Sequence, residues 1–211
     1  MSILQGILRF IGFCISLVYS ENSKKYTKRI KDHLYSKIAM NWFKQTGPHV
    51  RICPPLFLNG GKYITIGNNF SILKGGRIEA IDRYGNEVFN PDIIIGDNVV
   101  INSDCHIAAI NKIKIGNNVV MASRVYISDH SHGKLTTEDL QIPVAERPLF
   151  SKGNIYIEDN VWIGEGVAIL PNVRIGENSV IGANSVVTKD IPANSIAAGV
   201  PCRVLKTVSL K

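Results

Sequence analysis

Cysteine is scarce in this chain: four in 211 residues, at Cys14, Cys53, Cys105 and Cys202, with no paired spacing. That excludes a disulfide-stapled scaffold and a cysteine-based zinc module, and it fits a reducing compartment. Charged residues are few as well, 19% against 45% apolar, which suits a globular chain with a core and not a disordered one. A run of about 20 apolar residues, enough to span a bilayer, is missing. The longest candidate, residues 3–19 (ILQGILRFIGFCISLVY), is short and interrupted by Gln5 and Arg9. A secretory signal carries positive charge ahead of its apolar run and a small-residue cleavage site behind it. Here the charge follows the run and no such site appears, so export is not expected. A Gly-x-Ser-x-Gly nucleophile elbow is also missing.

Acidic residues are rare in the first quarter. Residues 1–52 carry nine basic residues against Glu21 and Asp32, a net +7, whereas residues 53–211 balance fifteen against fifteen. The whole imbalance sits in one segment, unlike the spread of a nucleic-acid binder, so no nucleic-acid partner is expected. Two units are expected: a helical, basic N-terminal segment over residues 1–50 and a second domain over 51–211. Two readings of the apolar run stay open. It is a helix packed on the main body, or a helix lying in the plane of an anionic membrane, with residues 1–31 in peripheral contact and the basic cluster drawn to lipid headgroups. The second reading places the protein in the cytoplasm, at the inner face of the cytoplasmic membrane. Residues 21–46 favour helix, with Tyr26, Ile30, Leu34, Lys37 and Ile38 forming a stripe, and Gly47-Pro48 stops it.

What the rest of the chain has in abundance is a period of six. Aliphatic residues stand at Ile66, Ile72 and Ile78, at Ile95, Ile101 and Ile107, at Ile115, Met121 and Ile127, and at every sixth position from Ile157 to Val187. Four residues after such positions comes a smaller one, among them Val99, Cys105, Val119, Val125, Val161, Val167, Val173, Ser179 and Ser185. A short fixed period means a solenoid. Each unit is a short strand and a turn, three units make a coil, and stacked coils bury an aliphatic column. Fifteen units predict about five coils, with residues 47–63 covering one open end and the tail after Ile191 the other. Cys105 holds a small inward position and is read as core, not as a nucleophile.

Two stretches break the period, residues 79–94 and residues 128–154. Loops this long in a compact solenoid usually carry function. The second opens with the densest histidine cluster, SDHSHG.

The six-residue repeat, the loop opening YISDHSHG, the block VWIGEGVAIL and the ending IGANSVVTKDIPANSIAAGVPCRVLK together resemble the hexapeptide-repeat acyltransferases, closest to their sugar and polysaccharide O-acetyltransferases. The resemblance covers roughly residues 60–206. It implies an all-β solenoid, a left-handed parallel β-helix with triangular coils, behind a short helical N-terminal segment. It also implies a homotrimer with active sites between subunits, acetyl-CoA as acyl donor and a sugar or glycan acceptor, as in surface polysaccharide biosynthesis. An acetyltransferase for a small acceptor (serine, a free sugar, an amino sugar, an antibiotic) and a non-catalytic binding solenoid are the alternatives.

Acetyl transfer from a thioester to a hydroxyl requires a base for the hydroxyl proton, and histidine suits it near neutral pH. The register of the resemblance assigns that role to His130, with His132 as competitor, acceptor contact or orienter of the loop; the adjacent Asp129 is set on the substrate side or orients a ring. No covalent acyl-enzyme is needed, so the missing elbow is no obstacle. The resemblance assigns coenzyme binding to Trp162, Ala183, Thr188, Lys189 and Arg203. Lys206 stands where the galactoside enzymes have arginine, and Glu165 where they carry serine. A related β-helix family, the gamma-type carbonic anhydrases, binds zinc through three histidines, but His106, His130 and His132 are spaced differently, so no metal is expected.

Overall fold

A computed structural model of the chain describes residues 3–208. The repeat builds a three-sided stack of coils. Each coil contributes one parallel strand to each of three faces, and successive coils pair in register along every face. The first face runs through Gln45–Thr46, Ile64–Ile66, Asp92–Ile95, Lys112–Ile115, Ile155–Ile157 and Val173–Ile175. The second runs through Arg51–Ile52, Ser71–Ile72, Val100–Ile101, Val120–Met121, Trp162–Ile163 and Val180–Ile181. The third runs through Leu56–Asn59, Gly76–Ala80, His106–Ala109, Tyr126–Ser128, Ala168–Ile169 and Val186–Val187.

All fifteen aliphatic positions of the six-residue template are at most 1% exposed, and the nine smaller partners at most 2%. Burying each large aliphatic side chain is worth about 1.5–3 kcal/mol, so this column is the dominant favourable term. The two serines among the small positions are satisfied: Ser179 Oγ donates to Pro192 O at 2.9 Å and Ser185 Oγ to Gly182 O at 2.6 Å. Turns between the first and second faces approach one another closely. A Cβ at Gly116 would collide with Asp159, whose carboxylate instead accepts the Asn117 N–H at 2.7 Å.

The stack is longer than the period predicts. Residues 47–63, expected only as an end cover, form a full coil together with Gln45–Thr46, which were expected as the end of the helix but are a strand after a helix that stops at Ala39. Gln45–Thr46, Arg51–Ile52 and Leu56–Asn59 pair onto the coil that follows. Its sequence, rich in proline and glycine, hides the period although its strands sit in register. At the other end, Ser195–Ala198 extends the second face and Arg203–Thr207 turns back antiparallel against it.

Two helices precede the coils, α1 (Ile3–Val18) and α2 (Glu21–Ala39), the latter capped by Ser20 Oγ. The apolar stripe Tyr26, Ile30, Leu34 and Ile38 does not dock α2; these side chains are exposed, and Asp32, Ser36 and Ala39 are buried instead. The reason is what they meet. The outer edge of Arg51–Ile52 presents unpaired backbone groups, which call for polar partners. Ser36 Oγ accepts the Ile52 N–H at 2.8 Å, and Asp32 accepts the Cys53 thiol at 3.3 Å and lies 3.5 Å from the Arg51 guanidinium.

Candidate active site

Both breaks in the period leave the stack at the same corner, where strands of the third face hand over to the first. The first follows Gly76–Ala80 and forms a small hairpin, Arg83–Tyr84 against Glu87–Val88. The second follows Tyr126–Ser128, and its neck is pinned by Ser131–His132 pairing antiparallel with Leu149–Phe150. The two loops touch: the Tyr84 hydroxyl donates to Ala145 O, and the Tyr84 ring stands edge-on to His132 with centroids 5.3 Å apart.

Between these loops and the third face lies a cavity of about 970 Å³, lined by His130, His132, Tyr84, Glu79, His106, Leu170 and Thr188 among others. His130 is the less exposed of the two loop histidines, its side chain 11% exposed, with Nδ1 3.1 Å from Asp129 Oδ1. Asp129 is completely buried. Its Oδ1 also accepts the Ile110 N–H, and its Oδ2 the Asn111 N–H, each at 2.9 Å. No substrate can reach this carboxylate, which corrects its placement on the substrate side. A carboxylate held by two backbone donors fixes the adjacent ring, and a proton on Nδ1 shared with it leaves Nε2 as the basic nitrogen. His132 lines the same cavity but is exposed.

The structure adds a group that the sequence pattern did not single out. Glu79 Oε2 lies 2.6 Å from Arg77 Nε and 2.9 Å from His106 Nε2, and His106 stacks edge-on against Tyr126. Burial pushes the Glu79 carboxyl up, but the hydrogen bonds from Arg77 and His106 outweigh it and hold the group below the ordinary carboxylate range. Arg77, His106 and Tyr126 are register partners on adjacent coils, pointing outward from the third face. The signal was there in outward positions of the repeat, which a search for inward aliphatics passes over.

The expected coenzyme residues divide into two groups. Thr188 lines the His130 cavity and also an adjoining one of about 740 Å³, which contains Lys189 and Asn154. Asn154 Oδ1 is buried there without a hydrogen-bond partner among the described residues. Trp162, Glu165, Ala183, Arg203 and Lys206 are exposed on the second face or at the corner beyond it, and none lines either cavity. Glu165 is engaged by Arg124 at 2.5 Å. Trp162, 52% exposed, belongs to an outward apolar column: Val100, Val120, Trp162, Val180 and Ile196 are register partners on five successive rungs. Cys105 is buried, with its thiol pushed up by desolvation, and so is poorly disposed to act as a nucleophile.

Comparison with known proteins gives concordant findings. Residues 154–189 match the family model described as bacterial transferase hexapeptide (six repeats). WbbJ of Escherichia coli (strain K12), named as a lipopolysaccharide biosynthesis O-acetyl transferase, is 38% identical over 156 residues, covering 72% of this chain and 76% of that protein. The galactoside O-acetyltransferase of the same strain is 42% identical over 183 residues, covering 79% of this chain and 65% of the other. A solved galactoside acetyltransferase in complex with coenzyme A superposes with a TM-score of 0.53 at 32% identity, over 90% of this chain and 72% of that one. The chain belongs to the hexapeptide-repeat acyltransferases.

Proposed function

We propose that this protein transfers an acetyl group from acetyl-CoA to a hydroxyl of a saccharide, in the assembly of a surface polysaccharide, with His130 as general base. The observation that carries this reading is the buried Asp129 carboxylate, locked by two backbone N–H groups, holding His130 in the lining of the cavity between the two loops and the third face. His130 Nε2 accepts the proton of the acceptor hydroxyl as that oxygen attacks, and returns it to the departing thiolate. The relatives' names support both the acyl group and the saccharide acceptor. Acetyl-CoA and four unpaired cysteines both suit a cytoplasmic setting.

The coenzyme-binding residues fit a long, amide-bearing anionic donor only when two chains come together. Thr188 lines the His130 cavity, and Lys189 and Asn154 line the one adjoining it; Asn154 Oδ1 is unpartnered among the described residues, while its Nδ2 donates to the Tyr156 hydroxyl. Trp162, Ala183, Arg203 and Lys206 lie across the stack. In a cyclic homotrimer of left-handed coils, the apolar column on the second face of one subunit packs beside the His130 corner of the next, and both sets line one cleft. A closed threefold ring also accounts for five outward apolar rungs on a face that would otherwise meet water.

The test is release of coenzyme A thiol from acetyl-CoA across a panel of saccharide acceptors. We expect His130→Ala to lose about 10²–10⁴-fold in turnover while still binding coenzyme A, with His132→Ala affecting mainly the acceptor KM. A dead His132→Ala variant with active His130→Ala would reverse the assignment. A wild-type protein that neither binds nor cleaves acetyl-CoA would defeat the reading.

A further inference from the structure

The N-terminal helices present an apolar surface that neither the coils nor the acetyl-transfer site uses. Along α1, Leu4, Ile7, Leu8, Phe10, Ile11, Phe13 and Ile15 are 46–68% exposed. Gln5, Arg9, Gly12 and Ser16 recur at spacings of four, three and four, so they form one narrow stripe and leave the rest of the circumference apolar. A helix of 16 residues is about 24 Å long, short of the ~30 Å of a hydrocarbon core. Among the described residues no single helix is long and apolar enough to cross a membrane.

On α2 the exposed side chains Tyr26, Ile30, Leu34 and Ile38 follow the same logic. Helical geometry puts them opposite Asp32, Ser36 and Ala39, the face docked on the first coil. Lys24 and Lys31 border this outer stripe on one side and Arg29 on the other, while Lys25 is paired with Glu21. The docked side centres on Asp32 and Ser36, with Ala39 and the half-buried Tyr35 against the core, and the free face carries the apolar stripe with Lys37 within it and further cations at its rim.

We infer that α1 and the outer face of α2 form a docking surface for an anionic lipid bilayer, with α1 lying in the interface plane. Charge selects this occupant. Residues 1–52 carry a net +7, so a second copy seated on the same surface would bring another +7 against it, whereas an anionic headgroup layer brings the opposite sign. The combination of an apolar helix and a basic segment supplies the two signals that stable peripheral attachment requires. The inference is independent of the acetyl-transfer reading, because none of these side chains lines the His130 cavity.

The experiment is flotation of the full chain with phosphatidylcholine vesicles, pure or containing about one third phosphatidylglycerol, at low and at roughly 0.5 M salt. The wild type should float with the anionic vesicles and release at high salt. Phe10→Ser with Phe13→Ser should abolish flotation. Lys24→Glu with Lys31→Glu should weaken it by more than tenfold, since each cation near the surface contributes about fivefold. Circular dichroism and coenzyme A release with a soluble acceptor, unchanged in both variants, show that the coils remain folded. Wild type that stays unbound, or that floats equally with neutral vesicles, overturns the proposal. So does a Phe10→Ser, Phe13→Ser variant whose only change is a lower oligomeric state in sedimentation equilibrium, which would assign the surface to a second copy.

Discussion

Two corners of the same coil stack have been put to opposite uses. Where the first face turns into the second, every coil after the first repeats one solution: Asn69, Asn98, Asn118, Asn160, Asn178 and Asn194 all adopt φ of 54–58°, and the first coil places His49 there at 59°. Their side-chain amides hydrogen-bond from one coil to the next over 2.9–3.1 Å. Asparagine tolerates the left-handed region because its short polar side chain bonds locally. Where the third face turns back to the first, nothing repeats. Two coils throw out loops there, and the neighbouring coils supply Leu170 and Thr188 to the space between them. Regularity at one corner lets the stack tolerate irregularity at the other. A solenoid coil touches only its neighbours, so a loop inserted at one corner need not disturb pairing along the faces.

The comparison predicts that changes at the loop corner strike turnover and changes at the asparagine corner strike stability. After loss of His130 itself, the largest effect belongs to Asp129→Asn. The amide keeps the shape but sets an NH₂ group against a backbone donor, Asn111 N–H or Ile110 N–H. It can also no longer favour the Nδ1-protonated ring of His130. Turnover should fall by about 10²–10³-fold, with coenzyme A affinity retained and a loss of about 1–3 kcal/mol in stability from the unpaired donor. Rates across pH together with thermal melts separate the two. A variant that melts lower yet turns over at the wild-type rate would make Asp129 a structural residue only.

How far these roles could be read from the residues follows from the same division. The aliphatic column was legible because its period is a property of the chain itself, and Ile66 through Val187 are buried at every template position. The first coil was not, since Pro48, Pro54 and Pro55 interrupt the pattern while backbone pairing, which the period does not encode, keeps Arg51–Ile52 in register with Ser71–Ile72. The docking of α2 was hidden for a related reason: its partner is a strand edge, so the buried residues are Asp32 and Ser36 and the apolar stripe points away. The histidine pair drew notice from its place at the loop root, but the choice of His130 over His132 came from the register of the family resemblance and not from the pattern itself. Glu79, Arg77 and His106 drew no such notice, because their convergence depends on residues 27 apart in sequence sharing one rung boundary. Asp129 shows the same limit from the other side. Adjacency to His130 was evident, but only the fold reveals that its oxygens are consumed by Ile110 and Asn111.

At the asparagine corner, Asn118→Ala removes two inter-coil amide bonds and places a Cβ-bearing residue without local bonding at φ 55°. The expected cost is about 1–2 kcal/mol, which for a chain of this size lowers Tm by roughly 2–6 °C. Asn118→Gly relieves the backbone penalty and should recover about half of that loss. Turnover per folded molecule should match the wild type in both. Equal melting of the alanine and glycine variants would show that the ladder's bonds, and not the left-handed backbone, carry the stability of this corner.

The smallest effect is a pH dependence in the loop corner's own charge cluster. Glu79 is held below the ordinary carboxylate range in the folded chain by Arg77 and His106, against the upward push of burial. A group whose folded pKa is depressed contributes stability that is present above its unfolded value, near 4.3, and is lost as pH falls through the folded value. Wild type should therefore melt above Glu79→Gln at neutral pH, and the gap should close as pH drops below about 4. Melts of both proteins from acid to neutral pH, read beside acceptor KM, distinguish a cluster that merely braces the third face from one that also presents the acceptor. A gap in Tm with unchanged KM assigns the cluster to the scaffold. A raised KM at pH 7 with a Tm within a degree or so of wild type assigns it to the acceptor, and moves the boundary between the two corners' roles one strand inward from the loops.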